Sequence, residues 1–161
     1  MFKVGDYLIY RKDVCKVKNI VNKQGIEYYH LAPIDDESLK IEVPLENSDS
    51  ILKPIMSRQE IDNLIKEMPN IEIIDTTDKL IEYEYKQLLA TGIKEDMVKV
   101  IKTAYLRIQV RINNKKKASE KDTNYLEKAE RLLYNEFSVV LNLTFDETKQ
   151  YIIDKVSEVV G

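Results

Sequence analysis

Two hydrophobic periods divide the chain. Over residues 2–52 the apolar positions come in short runs rich in Val, Ile and Tyr: YLIY (7–10), CKVKNIV (15–21), IEYYHLAP (26–33) and LKIEVP (39–44). Such runs read as strands. RKD (11–13), NKQG (22–25) and DDES (35–38) separate them as turns. Strands this short, joined this tightly, predict a small, strongly bent antiparallel sheet or barrel. Pro44 has no N–H for a ladder, so it ends its strand or lies on an edge.

From residue 57 the period becomes helical. Ser57 and Glu60 form a capping box ahead of a helix whose Ile61, Leu64, Ile65 and Met68 share one face. PNIEIID (69–75) reads as a linker. Thr77 or Asp78 is placed to cap a second helix that stops at Gly92, a good residue just past a helix end. A third helix is expected over about 95–112, with Val98, Ile101, Tyr105, Ile108 and Ile112 as its apolar stripe. NNKKKA connects it to a fourth, capped by Ser119 and striped by Leu126, Ala129, Leu133, Phe137 and Val140. Thr144 and Glu147 form another capping box, opening a last helix to about Val159. The expected class is therefore α+β in two domains: a β module over 1–53, then an all-α domain of four to five helices over 57–161.

Composition narrows the function. The 161 residues are 43% hydrophobic and 33% charged, enough apolar material for a core beneath a heavily charged surface. The net charge of −3 gives no global pull toward nucleic acid, so any such pull has to come from local clustering. One cysteine, Cys15, excludes an internal disulfide and fits a cytoplasmic protein. The N-terminal MFKVGDYLIYRKD does not read as a signal peptide, and no run is long enough to predict a membrane helix.

Catalytic signals are sparse. His30 is the only histidine and Cys15 has no identifiable base partner. One His and one Cys cannot make a zinc site. DDE (35–37) lacks calcium-loop spacing, and four glycines leave no phosphate loop. The expectation is a non-enzyme with no cofactor, no metal and no small-molecule substrate.

The positive signal is a window cleared of carboxylates. Between 97 and 119 stand Lys99, Lys102, Arg107, Arg111, Lys115, Lys116 and Lys117, with no Asp or Glu. Cations at a helix C-terminus complement its dipole, which accounts for lysines there. It does not account for the missing acids, because exposed helix faces ordinarily mix signs to gain pairs one turn apart. A polyanion benefits from such a face: each cation on a phosphate releases a counterion, giving a salt-sensitive attraction blind to sequence. No base-reading device accompanies it, so such a patch positions a protein on DNA without specifying sequence.

The order of motifs resembles the CarD/CdnL family of bacterial transcription regulators over nearly the whole chain. FKVGDYLIY (2–10), VCKVKNI (14–20), YYHL (28–31) and LKIEVPLEN (39–47) resemble its N-terminal module, most specifically at Val43, Pro44, Glu46 and Asn47. LLATG (88–92) is similar to a family turn and VIKTAYLR (100–107) to the helix after it. Ser119, Leu126, Ala129, Leu133, Glu136 and Phe137 follow the family spacing. The resemblance implies a Tudor-like, SH3-like β module that binds the RNA polymerase β subunit by an edge strand. That edge would be Lys40, Ile41, Glu42, Val43 and Pro44, with Lys23 in the neighbouring turn. It also implies a helical domain touching promoter DNA, through Lys79 and Lys86 besides the cations of the basic window. The implied activity is to modulate open-complex stability, in a cytoplasmic, nucleoid-associated protein.

Three departures from the family are visible. Tyr10 is followed by RKDV, without the family's Pro and Gly turn residues. Glu42 stands where the family often has a basic residue, with Lys40 and Lys23 as substitutes for the lost charge. The family's Trp near the start of the second helix is absent; Tyr83 or Tyr85 is the candidate replacement, with core packing as the other role for each. The alternative function is a protein-interaction adaptor with a Tudor-like module and no DNA contact.

Overall fold

The structure, a computed structural model, describes residues 1–160. The chain forms two compact units, Met1–Ser57 and Arg58–Gly161. Among the described residues, an antiparallel sheet of five strands is followed by five α-helices, the expected α+β class.

The strands are β1 (Tyr7–Tyr10), β2 (Asp13–Lys23), β3 (Ile26–Pro33), β4 (Ile41–Pro44) and β5 (Leu52–Pro54), in the order β4-β3-β2-β1-β5. The sequence pattern does not predict the last strand. LKP is too short to show a period, yet it pairs with β1 through Leu8↔Pro54 and Tyr10↔Leu52. Alternation on β2 and β3 sends Cys15, Val17, Tyr29 and Leu31 to one side, where they close a core with Leu8, Val43 and Leu52. Phe2 N–H donates to the Tyr29 hydroxyl at 3.1 Å, tying the N-terminal segment over that core. A two-residue turn at Gln24 and Gly25, both with positive φ, joins β2 to β3 with a twist that suits a hairpin. The β1–β2 turn has the same positive-φ pair in Arg11 and Lys12, so side-chain-bearing residues take the place of the missing Pro and Gly.

The helices are α1 (Arg58–Glu67), α2 (Ile81–Ala90), α3 (Lys94–Asn113), α4 (Glu120–Leu141) and α5 (Phe145–Val160). α1 buries Ile61, Leu64 and Ile65 as its spacing predicts. α3 and α4 pack closely because Ala104 and Ala129 are both small and fully buried. Around them Ile81, Tyr85, Val100 and Tyr125 complete a core, with the Tyr85 and Tyr125 rings 5.3 Å apart. Thr144 and Glu147 exchange hydrogen bonds at 2.9 and 3.1 Å, the reciprocal cap expected for α5. Gly92, at φ 71°, follows α2 as anticipated.

Three expectations are corrected. α2 starts at Ile81, and neither Thr77 nor Asp78 caps it; the Asp78 carboxylate is drawn instead to Arg107 and Lys121. The buried face of α3 is Met97, Val98, Val100, Ala104 and Ile108, while Tyr105 (58% exposed) and Ile112 (50%) face solvent. Apolar residues occupy two sides of this helix, and the side with the small residues permits the closer approach to α4. Ser119 precedes α4 but makes no side-chain cap bond.

Candidate nucleic-acid interface and partner edge

β4 ends the sheet on one side, paired only with β3. Ile41 and Val43 pack on the core, so Lys40, Glu42 and Pro44 carry the strand's outward chemistry. Leu45 N–H donates to Glu27 O at 3.0 Å; by alternation, Val43 also bonds inward and the backbone of Glu42 faces the open edge. Pro44 offers that edge a carbonyl and no N–H. Lys23 reaches from the β2–β3 turn to both Glu42 carboxylate oxygens, at 2.8 and 3.0 Å. The Lys23 hydrogen bond holds the Glu42 carboxyl below its ordinary 4.5, with a smaller pull from His30, whose Nε2 lies 3.4 Å away. Lys23 and Glu42 thus neutralise each other, and the edge presents a backbone ladder with little net charge. His30 and Cys15 point to opposite faces of the sheet, so they do not form a common site.

The basic window divides into structural cations and available ones. Lys102 is structural. Its Nζ donates to the carbonyls of Met68 at 2.8 Å, Pro69 at 3.4 Å and Ile71 at 2.5 Å, closing the turn after α1 onto α3. Arg107 is also engaged. Its Nε donates to Asp122 at 3.0 and 3.2 Å, and its terminal nitrogen pairs with Asp78. Burial works against the Arg107 cation, but the hydrogen bonds to Asp78 and Asp122 outweigh it and raise its pKa. Asp78 is held below its ordinary 3.8 by the Arg107 hydrogen bond first and the Lys121 bond second. Lys86 pairs with Glu82 one turn away at 3.7 Å, and Lys79 lies exposed in the turn before α2.

Lys99, Arg111, Lys115, Lys116 and Lys117 have no acidic partner among the described residues. The last four gather at the C-terminal end of α3. There Lys116 N–H donates to Arg111 O at 2.8 Å and Lys115 N–H to Ile112 O at 2.9 Å, the paired bonds of a Schellman cap. Arg111 Nε donates to Lys117 O at 2.7 Å, fixing the turn from its other side. The cap requires a left-handed residue, and Lys115 fills it at φ 60°. Glycine takes that conformation without the clash that a Cβ brings.

The tyrosine alternatives separate cleanly. Tyr85 is fully buried and its hydroxyl donates to Asp122 at 2.7 Å, so it belongs to the core. Tyr83 is 60% exposed on the first turns of α2, beside exposed Leu80. Sequence reasoning missed Asp78, Lys121 and Asp122 as parts of this end of the molecule. Asp122 had a readable signal: it lies four residues before Leu126, on the extension of the apolar stripe.

No protein-family model matches the chain, and no curated protein matches it. Among the described residues, no helix is long and apolar enough to cross a membrane, and no group of His, Cys, Asp and Glu is placed to hold a metal.

Proposed function

We propose that this chain is a non-enzymatic transcription regulator of the CarD type, held on RNA polymerase by the β4 edge and touching promoter DNA without sequence specificity through the α3–α4 turn. The carrying observation is Lys115. A left-handed position that glycine would fill at less cost holds a lysine, exposed and between further cations. Arg11 and Lys12 take the same backbone in the β1–β2 turn; Lys115 is set apart by its place among four cations with no acidic partner among the described residues. The DNA face in this reading is Arg111, Lys115, Lys116 and Lys117, with Lys79 nearby in sequence to Asp78, which the same end of the helical unit binds. Exposed Tyr83 supplies the flat ring available for stacking against an unpaired or splayed base.

Such a patch is weak alone. A tether raises its effective concentration at the promoter, so a few phosphate contacts suffice. Stronger contact with the melted complex than with the closed one shifts the population toward melting by that difference. The β4 edge supports the tether because backbone pairing with an added strand needs an open ladder and little charge. In this reading the protein works in the cytoplasm, on the nucleoid.

A second reading is favoured by one observation. Tyr105, Leu106, Val110 and Ile112 expose an uncharged face of α3, which suits a protein partner better than a phosphate backbone. That reading is the adaptor with no DNA contact.

The discriminating experiment changes Lys115, Lys116 and Lys117 together to Gln in the full chain. Promoter-complex affinity is expected to fall and its salt slope to flatten by roughly 2–3, about 0.9 per lost phosphate contact. Capture by the isolated polymerase β lobe is expected to persist. An unchanged slope rejects the DNA face and leaves the adaptor.

A further inference from the structure

Asp78 bridges two cations on different helices. Its carboxylate takes the Arg107 terminal nitrogen from α3 and Lys121 Nζ, at 3.2 Å, from α4. Lys121 Nζ also donates to the Asp78 carbonyl at 3.0 Å. Arg107 is aimed from behind: the wholly buried Asp122 grips its Nε and leaves the other end of the fork facing out. Asp78 itself is 76% exposed at its side chain and sits in a short turn, after a stretch with no regular structure over 72–77. Two cations converging on two oxygens of one exposed anion is the arrangement a phosphodiester accepts, through its two non-bridging oxygens.

The charge balance makes the arrangement conditional. Arg107, Lys121, Asp78 and Asp122 sum to zero with Asp78 in place. With Asp78 withdrawn, one positive charge is left, fixed by a buried carboxylate and one helical turn from Arg111.

We infer that Arg107 and Lys121 form a phosphate-binding fork that Asp78 fills from within the chain, so that part of the DNA affinity is held in reserve until a backbone phosphate displaces the carboxylate. The inference rests on the reading that this unit touches DNA, and it adds a site and its regulation. Displacement trades one exposed ion pair for another, so the gate is shallow and responds to the high phosphate density along a duplex.

The test uses the full chain with a short labelled duplex across a salt series, in wild type, Asp78→Asn and Asp78→Ser. Either variant is expected to bind roughly two- to fivefold tighter, the range set by freeing an exposed ion pair. The salt slope is expected to steepen by about 0.9, one added phosphate. Adding Lys121→Gln to Asp78→Asn should erase the gain. Glu120→Gln makes the same change in net charge beside the fork and should produce a smaller gain, still present in the Lys121→Gln background. Equal gains from Asp78→Asn and Glu120→Gln, both surviving Lys121→Gln, overturn the fork in favour of plain net charge. Titration of Asp78→Asn with inorganic phosphate, read at the Arg107 Nε–H resonance, separates the two failures. A resonance that moves while no variant binds the duplex keeps the phosphate site and sinks the DNA reading. Duplex binding with a still resonance and no Asp78 effect sinks the fork alone.

Discussion

The Nε of Arg107 donates to the wholly buried carboxylate of Asp122 at 3.0 Å, joining α3 to the first turn of α4. The same carboxylate accepts from Tyr85 on α2 at 2.7 Å, so three helices meet at one anion. Removing that charge leaves Arg107 with Asp78 as its remaining acidic partner and gives the Tyr85 hydroxyl a neutral acceptor in place of a charged one. Asp122→Asn is therefore expected to destabilise the helical unit by about 1.5–3 kcal/mol. Tyr85→Phe, which loses one neutral donor to a charged acceptor, should cost about 1.5–3 kcal/mol. Because both act on one carboxylate, the double variant should fall short of the sum. Chemical denaturation followed by circular dichroism checks it; additive effects would mean the network is not shared.

Lys102 tests the division of the basic window. Three carbonyls of the turn after α1 converge on its ammonium, so its charge serves the fold. Lys102→Met keeps most of the stem and deletes the donor. The expected result is a loss of about 1–3 kcal/mol in stability with DNA affinity and salt slope unchanged at temperatures where the variant is folded. A lowered salt slope would return Lys102 to the DNA face.

The sequence pattern makes the architecture legible and leaves the electrostatic partners hidden. The enrichment of YLIY and IEYYHLAP in Ile and Tyr, and the stripe at Ile61, Leu64 and Ile65, are local signals that survive folding. α3 is ambiguous: Tyr105 and Ile112 keep helical spacing as well as Val100 and Ala104 do. The side that carries Val100 and Ala104 is the buried one, in a common core with Ala129 of α4. Charge is less legible. Lys102, Arg107 and Lys117 look alike in a run cleared of acids, yet Asp78 lies 29 residues from Arg107 and Lys102 acts on carbonyls at least 31 away. Those distances are closed by the fold, and no spacing announces them. The absence of acids between 97 and 119 therefore overstated the free positive charge. The end of that window, at Arg111 and the three lysines, keeps its positive charge without an acidic partner among the described residues.

Alkaline pH probes the tyrosines of the core. Burial, then the hydrogen bond to Asp122, pushes Tyr85 upward from the ordinary 10.0. Burial, then the charge of Glu130, does the same for Tyr134. A group with a raised folded pKa contributes stability that is complete below its unfolded value and is lost as pH climbs toward the folded one. For these two residues the loss starts near pH 10, where the unfolded chain ionises and the folded one does not. The contribution of both tyrosines is expected to be complete and independent of pH below about pH 9, and stability to decline above pH 10. Tyr134→Phe should reduce the steepness of that decline. Denaturant midpoints measured across the alkaline range provide the check; an identical decline in the variant would remove Tyr134 from the account.

Lys115 puts function and stability in opposition at one atom group. Its left-handed backbone completes a cap in which Lys116 and Lys115 satisfy carbonyls at the end of α3. Glycine suits that conformation and keeps both backbone bonds, so Lys115→Gly should stabilise the helical unit by about 1 kcal/mol. If the lysine is there only to complement the helix dipole, its loss returns about 0.3–1 kcal/mol of that gain, and DNA affinity stays put. If the side chain meets a phosphate, the same substitution weakens promoter-complex binding and lowers the salt slope by about 0.9 while the protein melts higher. Opposite signs from one substitution cannot be produced by partial unfolding, which would depress both readings together. Lys115→Asn, a residue that also tolerates the left-handed region, should repeat the pattern with a smaller gain in stability and the same fall in slope. Melting and salt-series binding on the same preparations decide between them: a higher melting temperature with unaltered affinity would leave the α3–α4 turn as a helix cap and nothing more.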